Sequence, residues 1–314
     1  MNALQTMSAT LPVIFLVLLG ILIRKVQLIS AEAIRDFKKL VVNVTLPLLL
    51  FKAFATMVFE ARFVLIVASI FLACTLVMFL SSKMGFLPGL SSVYSSFLMA
   101  GFEAGMLGYA IFGSIFGDAN IPHFAVIDLG QVLFVFFILI TRLAVLQGRR
   151  LSLAQTLLNF VKSPVIIGIF AGIIANFTGL YRLLAGDALA PSLINTVSIL
   201  GGLTTPLVAM VIGYELQFQK GRMALPLQTV ALRLVVWVGL ALLFNALVIR
   251  QLMGLDRNFE AAVMLMAILP APFVVPIYLR DDHKGEQDYI LNVLSIGTVV
   301  ALIGGAIIRL VYSV

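Results

Sequence analysis

The amino-acid sequence predicts an all-helical polytopic membrane protein, with ten transmembrane helices arranged as two inverted five-helix repeats. Three observations lead there. Of the 314 residues, 62% are hydrophobic and only 11% are charged, with a mean hydropathy of +1.14. Soluble domains contain about 45–50% apolar and about 25% charged residues, so no soluble core could hide this much apolar surface. Apolar runs near the roughly 20 residues that cross a bilayer recur along the whole chain. Finally, matching proline signatures sit at corresponding places in the two halves.

The first run, MNALQTMSATLPVIFLVLLG, lacks the basic flank of a signal peptide. Arg24 and Lys25 follow it rather than a small-residue cleavage site, so 6–24 reads as a retained span. The other spans are 37–58, 62–82, 90–117, 122–146, 160–180, 189–216, 224–251, 257–279 and 287–312. The longest polar connection, QGRRLSLAQTLLN at 147–159, falls near the middle and reads as a short cytoplasmic linker between the repeats 1–146 and 160–314. Five spans per half turn the second half upside down relative to the first, a common transporter plan. The second span carries Pro47 in VNVTLPLLL, and its counterpart, the seventh, carries Pro206 in GGLTTPLVA.

Most of the twenty-one Lys and Arg residues fall after odd-numbered spans, in clusters such as Arg24–Lys25, Lys38–Lys39, Arg149–Arg150 and Lys220–Arg222. The opposite loops hold fewer, among them Lys52, Arg62 and Arg182. The positive-inside rule then makes the odd-numbered loops cytoplasmic and puts both termini outside. The net charge of +7 therefore reflects topology, and nothing in its distribution suggests nucleic acid. Cys74, the single cysteine, can form no internal disulfide. His123 and His283 are far apart and have no cysteine beside them, so no metal site or cofactor is expected. No serine, histidine and acidic constellation converges, so an enzyme is not expected.

Two spans read as broken. A straight 90–117 would be roughly 42 Å long, well over the roughly 30 Å hydrocarbon core. The stretch Gly101-Phe102-Glu103-Ala104-Gly105 is its natural break, because glycine weakens a helix interior. In the ninth span, AILPAPFVVPIYL contains Pro270, Pro272 and Pro276, which cannot donate to the preceding turn. Freed backbone groups survive in a bilayer only where protein or a water-filled cavity satisfies them. Two interrupted spans at equivalent positions of opposed halves point to a transport site. Their half-helix N-termini favour anions and their C-terminal carbonyls favour cations.

The stretches VNVTLPLLLF, GFEAGMLGYAIFG, IDLGQVLFVF (127–136) and LPAPFVVPIYL (269–279) resemble the auxin efflux carrier family in its short bacterial form, over essentially the whole chain. Members of that family include plant auxin exporters and bacterial permeases associated with malate or malonate. The resemblance implies the fold of the sodium–bile acid symporters, with spans 4 and 9 crossing. It implies a scaffold domain of spans 1, 2, 6 and 7, and a transport domain of spans 3–5 and 8–10. It also implies a homodimer built through the scaffold and an elevator-like motion. The plant exporters have a long central loop, and asparagine and proline at the fourth-span break. Here the break carries Glu103, which argues against auxin itself as the substrate.

Among individual residues, Glu103 is an intramembrane carboxylate and so a functional candidate. It either carries a proton in step with substrate or caps the amides of its own broken helix. Asp128, nearer the outer face, could bind sodium with nearby carbonyls, pair with a cation or line a vestibule. Gln131, one turn on, could share its pocket. Arg233 could attract an anion or pair with Glu103 or Glu215. Asn43, Thr45, Thr204 and Thr205 flank the prolines of spans 2 and 7 and could meet a ligand or bind the helices to each other. Gly101 and Gly105, with Pro270 and Pro272, make the breaks. The cluster RDDHKGEQD (280–288) reads as a solvated loop. The expected function is a proton-coupled secondary transporter of a small organic anion, a carboxylate, in a bacterial plasma membrane. Sodium coupling is the alternative, and a membrane sensor without flux is the rival of another class.

Overall fold

The computed structural model of the chain describes residues 3–149, 151–181, 183, 190–219, 223–280 and 285–312, with side chains from Leu11 onward except at 190. Arg150, Arg182, Lys220, Arg222 and residues 281–284 of the RDDHKGEQD cluster lie outside the described residues.

Among the described residues every regular element is helical. In chain order the helices are α1 (Ala3–Lys25), α2 (Ala31–Thr56), α3 (Phe63–Lys83), α4 (Ser95–Met99), α5 (Tyr109–Phe116) and α6 (Asp118–Leu146). There follow α7 (Leu153–Lys162), α8 (Pro164–Phe177), α9 (Pro191–Glu215), α10 (Ala224–Leu252), α11 (Arg257–Ile268) and α12 (Gln287–Tyr312). Polar side chains set several starts. Ser30 accepts the Ala33 N–H at 3.1 Å ahead of α2, and Asp256 accepts the N–H groups of Asn258 and Phe259 at 3.0 and 3.1 Å ahead of α11.

Seven described helical segments are long and apolar enough to cross a bilayer, with α4–α5 taken as one segment, Ser95–Phe116. The number rises to eight if α7 and α8, bent by 67° at Ser163, form one span. The chain is thus a multi-pass, helical membrane protein. The connection 147–159 is not all loop: Ser152 and Gln155 form a reciprocal capping box that starts α7 inside it. Thr156 of α7 is buried, whereas Leu153, Leu158 and Val161 face outward.

Two helix pairs pack in corresponding ways when the halves are exchanged. The C-terminal half of α2 lies against α8, and the C-terminal half of α9 lies against α1. Glycines make both approaches close. Gly168 and Gly172 of α8 sit on the backbone of Pro47 and Phe51, while Gly20 of α1 and Gly213 of α9 sit on the backbone of Met210 and Val17. Between helices in lipid, small residues of this kind let dispersion contacts and backbones meet. Elsewhere α3 packs on α6, α10, α11 and α12 pack on one another, and α1 also meets α5 and α12.

Both predicted breaks occur. The helix of the fourth span stops after Met99, is extended at Ala100, is irregular from Gly101 to Glu103, and resumes in a π-turn at Ala104–Gly108 that leads into α5. The ninth span stops after Ile268, turns extended at Leu269 and re-forms only a short 3-10 turn at Val275–Tyr278. Gly101 has φ +71°, a left-handed conformation that glycine adopts without cost.

Candidate functional site

The two breaks lie against each other. The Glu103 N–H donates to the Pro270 carbonyl at 2.9 Å, and the Phe273 N–H donates to Glu103 Oε2 at 2.6 Å. Glu103 Oε1 accepts the Met106 N–H at 3.2 Å, so one carboxylate caps its own half-helix and ties it to the other break. Gly101 packs on Pro272, where a Cβ would come within 2.9 Å of the ring Cγ.

The freed carbonyls have identifiable partners. Within the ninth-span break, Met266 and Pro272 accept from the Leu269 and Val275 N–H groups at 3.1 Å each. Four more carbonyls of the breaks accept from α10. Arg233 donates to Leu98 at 2.9 Å, Gly101 at 2.5 Å and Leu269 at 3.2 Å, and it lies 4.9 Å from the centre of the Phe102 ring. Trp237, one turn on and on the same helical face, donates to the Met99 carbonyl at 2.7 Å. Arg233 is only 3% exposed, and it has no carboxylate partner in any ion pair among the described residues. A buried guanidinium is tolerated here because its fork of donors meets carbonyl dipoles from both broken helices.

This corrects two expectations. Arg233 neither meets Glu103 nor pairs with Glu215, whose carboxylate is instead held by Lys38 at 2.9 Å. Arg233 is itself the cation that the carbonyl ends hold. Asn43 is the second correction. It is exposed, and its amide donates to the Lys39 carbonyl of its own helix at 2.7 Å, so the structure does not bring it to the crossover. Two residues along a helix point to nearly opposite sides, so Asn43 faces outward where Thr45 is buried.

The other candidates divide. Thr45 and Thr204 are buried and hydrogen-bonded to each other at 3.0 Å, joining α2 to α9. Thr205 is half-buried, and Leu46 of α2 reaches the π-turn at Gly105. Asp128 is not in an outer vestibule but buried to 2% exposure, accepting from the Tyr109 hydroxyl at 2.8 Å and from Gln131 at 3.2 Å. The Gln131 amide also donates to the Phe102 carbonyl at 3.0 Å, linking this polar pair to the break. Gln131 Oε1 is buried and has no hydrogen-bond partner among the described residues.

A cleft of about 470 Å³ reaches the crossover from the end of the molecule that carries Arg35 and Lys38. Phe273, the residue that binds Glu103, forms part of its wall, together with Ile34, Tyr214, Glu215 and Ser295. At the other end of α2 and α9 lies a smaller cavity of about 240 Å³, bordered by Lys52, Thr56, Asp118 and Ser198. Trp237, Phe273 and Tyr109 were not singled out in the sequence. A lone tryptophan four residues after an intramembrane arginine was the available signal for the first; the other two had none.

No protein-family model matches the chain. Comparison with curated proteins gives no match either.

Proposed function

We propose that the chain is a secondary active transporter of a small organic anion bearing a carboxylate, of the auxin efflux carrier type. In this reading ten spans form two inverted five-helix repeats. Spans 1, 2, 6 and 7 make the scaffold, through which two copies pair, and spans 3–5 and 8–10 make the moving domain. The matched pairing of α1 with α9 and of α8 with α2 supports this division. The basic end faces the cytoplasm of a bacterial cell and both termini face outward, following the charge bias.

One observation carries the reading. Glu103 holds the N–H groups of Met106 and Phe273, one from each interrupted span, beside the cleft that Phe273 helps to line. Those donors suit a carboxylate. A substrate carboxylate and Glu103 therefore compete for them. A proton on Glu103 removes its charge, weakens its hold and lets the substrate anion in, so proton and anion move together. Arg35 in the cleft draws the anion toward that point, while the Lys38 charge is paired with Glu215.

The test is uptake of labelled malate, malonate and short monocarboxylates into proteoliposomes under pH gradients of either sign. Inward proton gradients are expected to accelerate uptake of at least one acid. Uptake no faster than in protein-free vesicles for every acid, at every pH, would reject transport. The unpartnered Gln131 Oε1 beside Asp128 favours a second reading, coupling to sodium. Acceleration by a sodium gradient at constant pH would select it.

A further inference from the structure

A separate cavity lies behind the crossover, bordered by none of the cleft residues. It encloses about 220 Å³ between α3, α10 and α11. Ile70 and Ala73 of α3, Ala241 of α10 and Met266 of α11 form its walls, and Phe102 and Trp237 close its inner end. Ser69 is the only hydroxyl-bearing residue among those bordering it, and the Trp237 N–H is already committed to Met99. Water entering it would find almost no partners, and apolar cavities of this kind stay dry. Left empty, it would forfeit the dispersion contacts of its whole lining.

The mouth decides what fills it. Leu240, Leu243 and Leu247 of α10 stand at the opening with 38%, 59% and 51% of their surface exposed. α10 is the least buried of the seven spanning helices, so its outer face lies against lipid and the cavity is continuous with that surface. The fluid at the opening is therefore hydrocarbon. We propose that this cavity is a binding site for a phospholipid acyl chain, which enters from the bilayer between α3 and α10 and ends against Phe102 and Trp237. Those two rings pack edge to face at 4.6 Å, and they touch the groups that hold the first break together: Phe102 lies under Arg233, and Trp237 binds Met99. An inserted chain thus buttresses the crossover from the lipid side.

Trp237 is the only tryptophan in the chain, so its fluorescence reports this cavity alone. The full-length protein is reconstituted in phosphatidylcholine carrying bromine at mid-chain, a contact quencher of indole emission. Bromolipid is expected to quench most of the Trp237 emission. Filling the cavity with Ala241→Phe or Ala73→Leu should restore emission toward the level in unbrominated lipid. Emission unaffected by bromolipid overturns the proposal, and so does quenching that persists undiminished in filled variants that elute as folded protein. A measurement without variants covers the case in which both fail to fold. Brominated fatty acid titrated into detergent-solubilised wild type should quench saturably, as for one site, and a linear response without saturation overturns the site.

Discussion

The hydroxyl of Thr204 lies 3.0 Å from that of Thr45, each two residues before the proline of its own helix. Two hydroxyls from opposite halves of the sequence thus meet in a buried contact. Between membrane helices such a bond contributes on average about 0.6 kcal/mol, and at most about 1.7. We expect Thr45→Val or Thr204→Val alone to destabilise by about 1 kcal/mol, since each leaves one hydroxyl unpaired. The double variant should be less destabilised than the sum of the two. Unfolding by denaturing detergent in bicelles measures this, and strictly additive losses would show that the contact contributes nothing.

Arg233 should be the least replaceable side chain of the crossover. Each buried carbonyl stripped of its donor costs about 1–3 kcal/mol. Arg233→Met strips at least Leu98 and Gly101, so a loss of about 2–6 kcal/mol is expected. Arg233→Lys keeps the charge but not the planar fork, and should fall between the two. Thermal unfolding in detergent ranks the three; a lysine variant as stable as wild type would show that charge alone matters.

Replacement of Trp237 by Phe keeps the ring contact with Phe102 but removes the bond to the Met99 carbonyl. A loss of about 1–3 kcal/mol is expected, with exchange protection lowered first in the segment around Ser95–Met99. Hydrogen exchange read by mass spectrometry checks the location.

Gly101→Ala forces a side chain into a left-handed backbone and toward the Pro272 ring and Phe134, at a cost of about 1–3 kcal/mol. Gly239→Ala is the control. It lies in α10 with nothing within 4 Å of its Cβ position, and should stabilise the helix by up to about 1 kcal/mol. Melting temperatures of the two variants should therefore move in opposite directions.

Glu103→Gln separates capping from coupling. The amide has one acceptor oxygen, so it can serve the Phe273 or the Met106 N–H with less reach than the carboxylate serves both. Stability should fall by about 1–3 kcal/mol, and carboxylate uptake should lose its dependence on pH. A pH profile unchanged from wild type would leave Glu103 with the capping role only.

The sequence alone determined the solvent of this protein and where its helices must stop. Apolar composition dictates a bilayer, because no soluble core could contain it. Three prolines in 267–279 and the glycines around Glu103 dictate interruption, because they remove donors or weaken the helix locally. These are properties of short stretches and need no partner. What satisfies the interruptions is another matter. Leu98, Gly101 and Leu269 find their donor in Arg233, more than 30 residues away along the chain from each of them. That Thr45 rather than Asn43 turns inward depends on how α2 is rotated against α9, where Thr45 meets Thr204. Asp128 meets Tyr109 instead of the outer surface because α5 folds back along α6. A hydrogen bond across a membrane core is decided by which helices pack together and at what rotation. That depends on contacts distributed over the whole chain, so only the tertiary structure decided it.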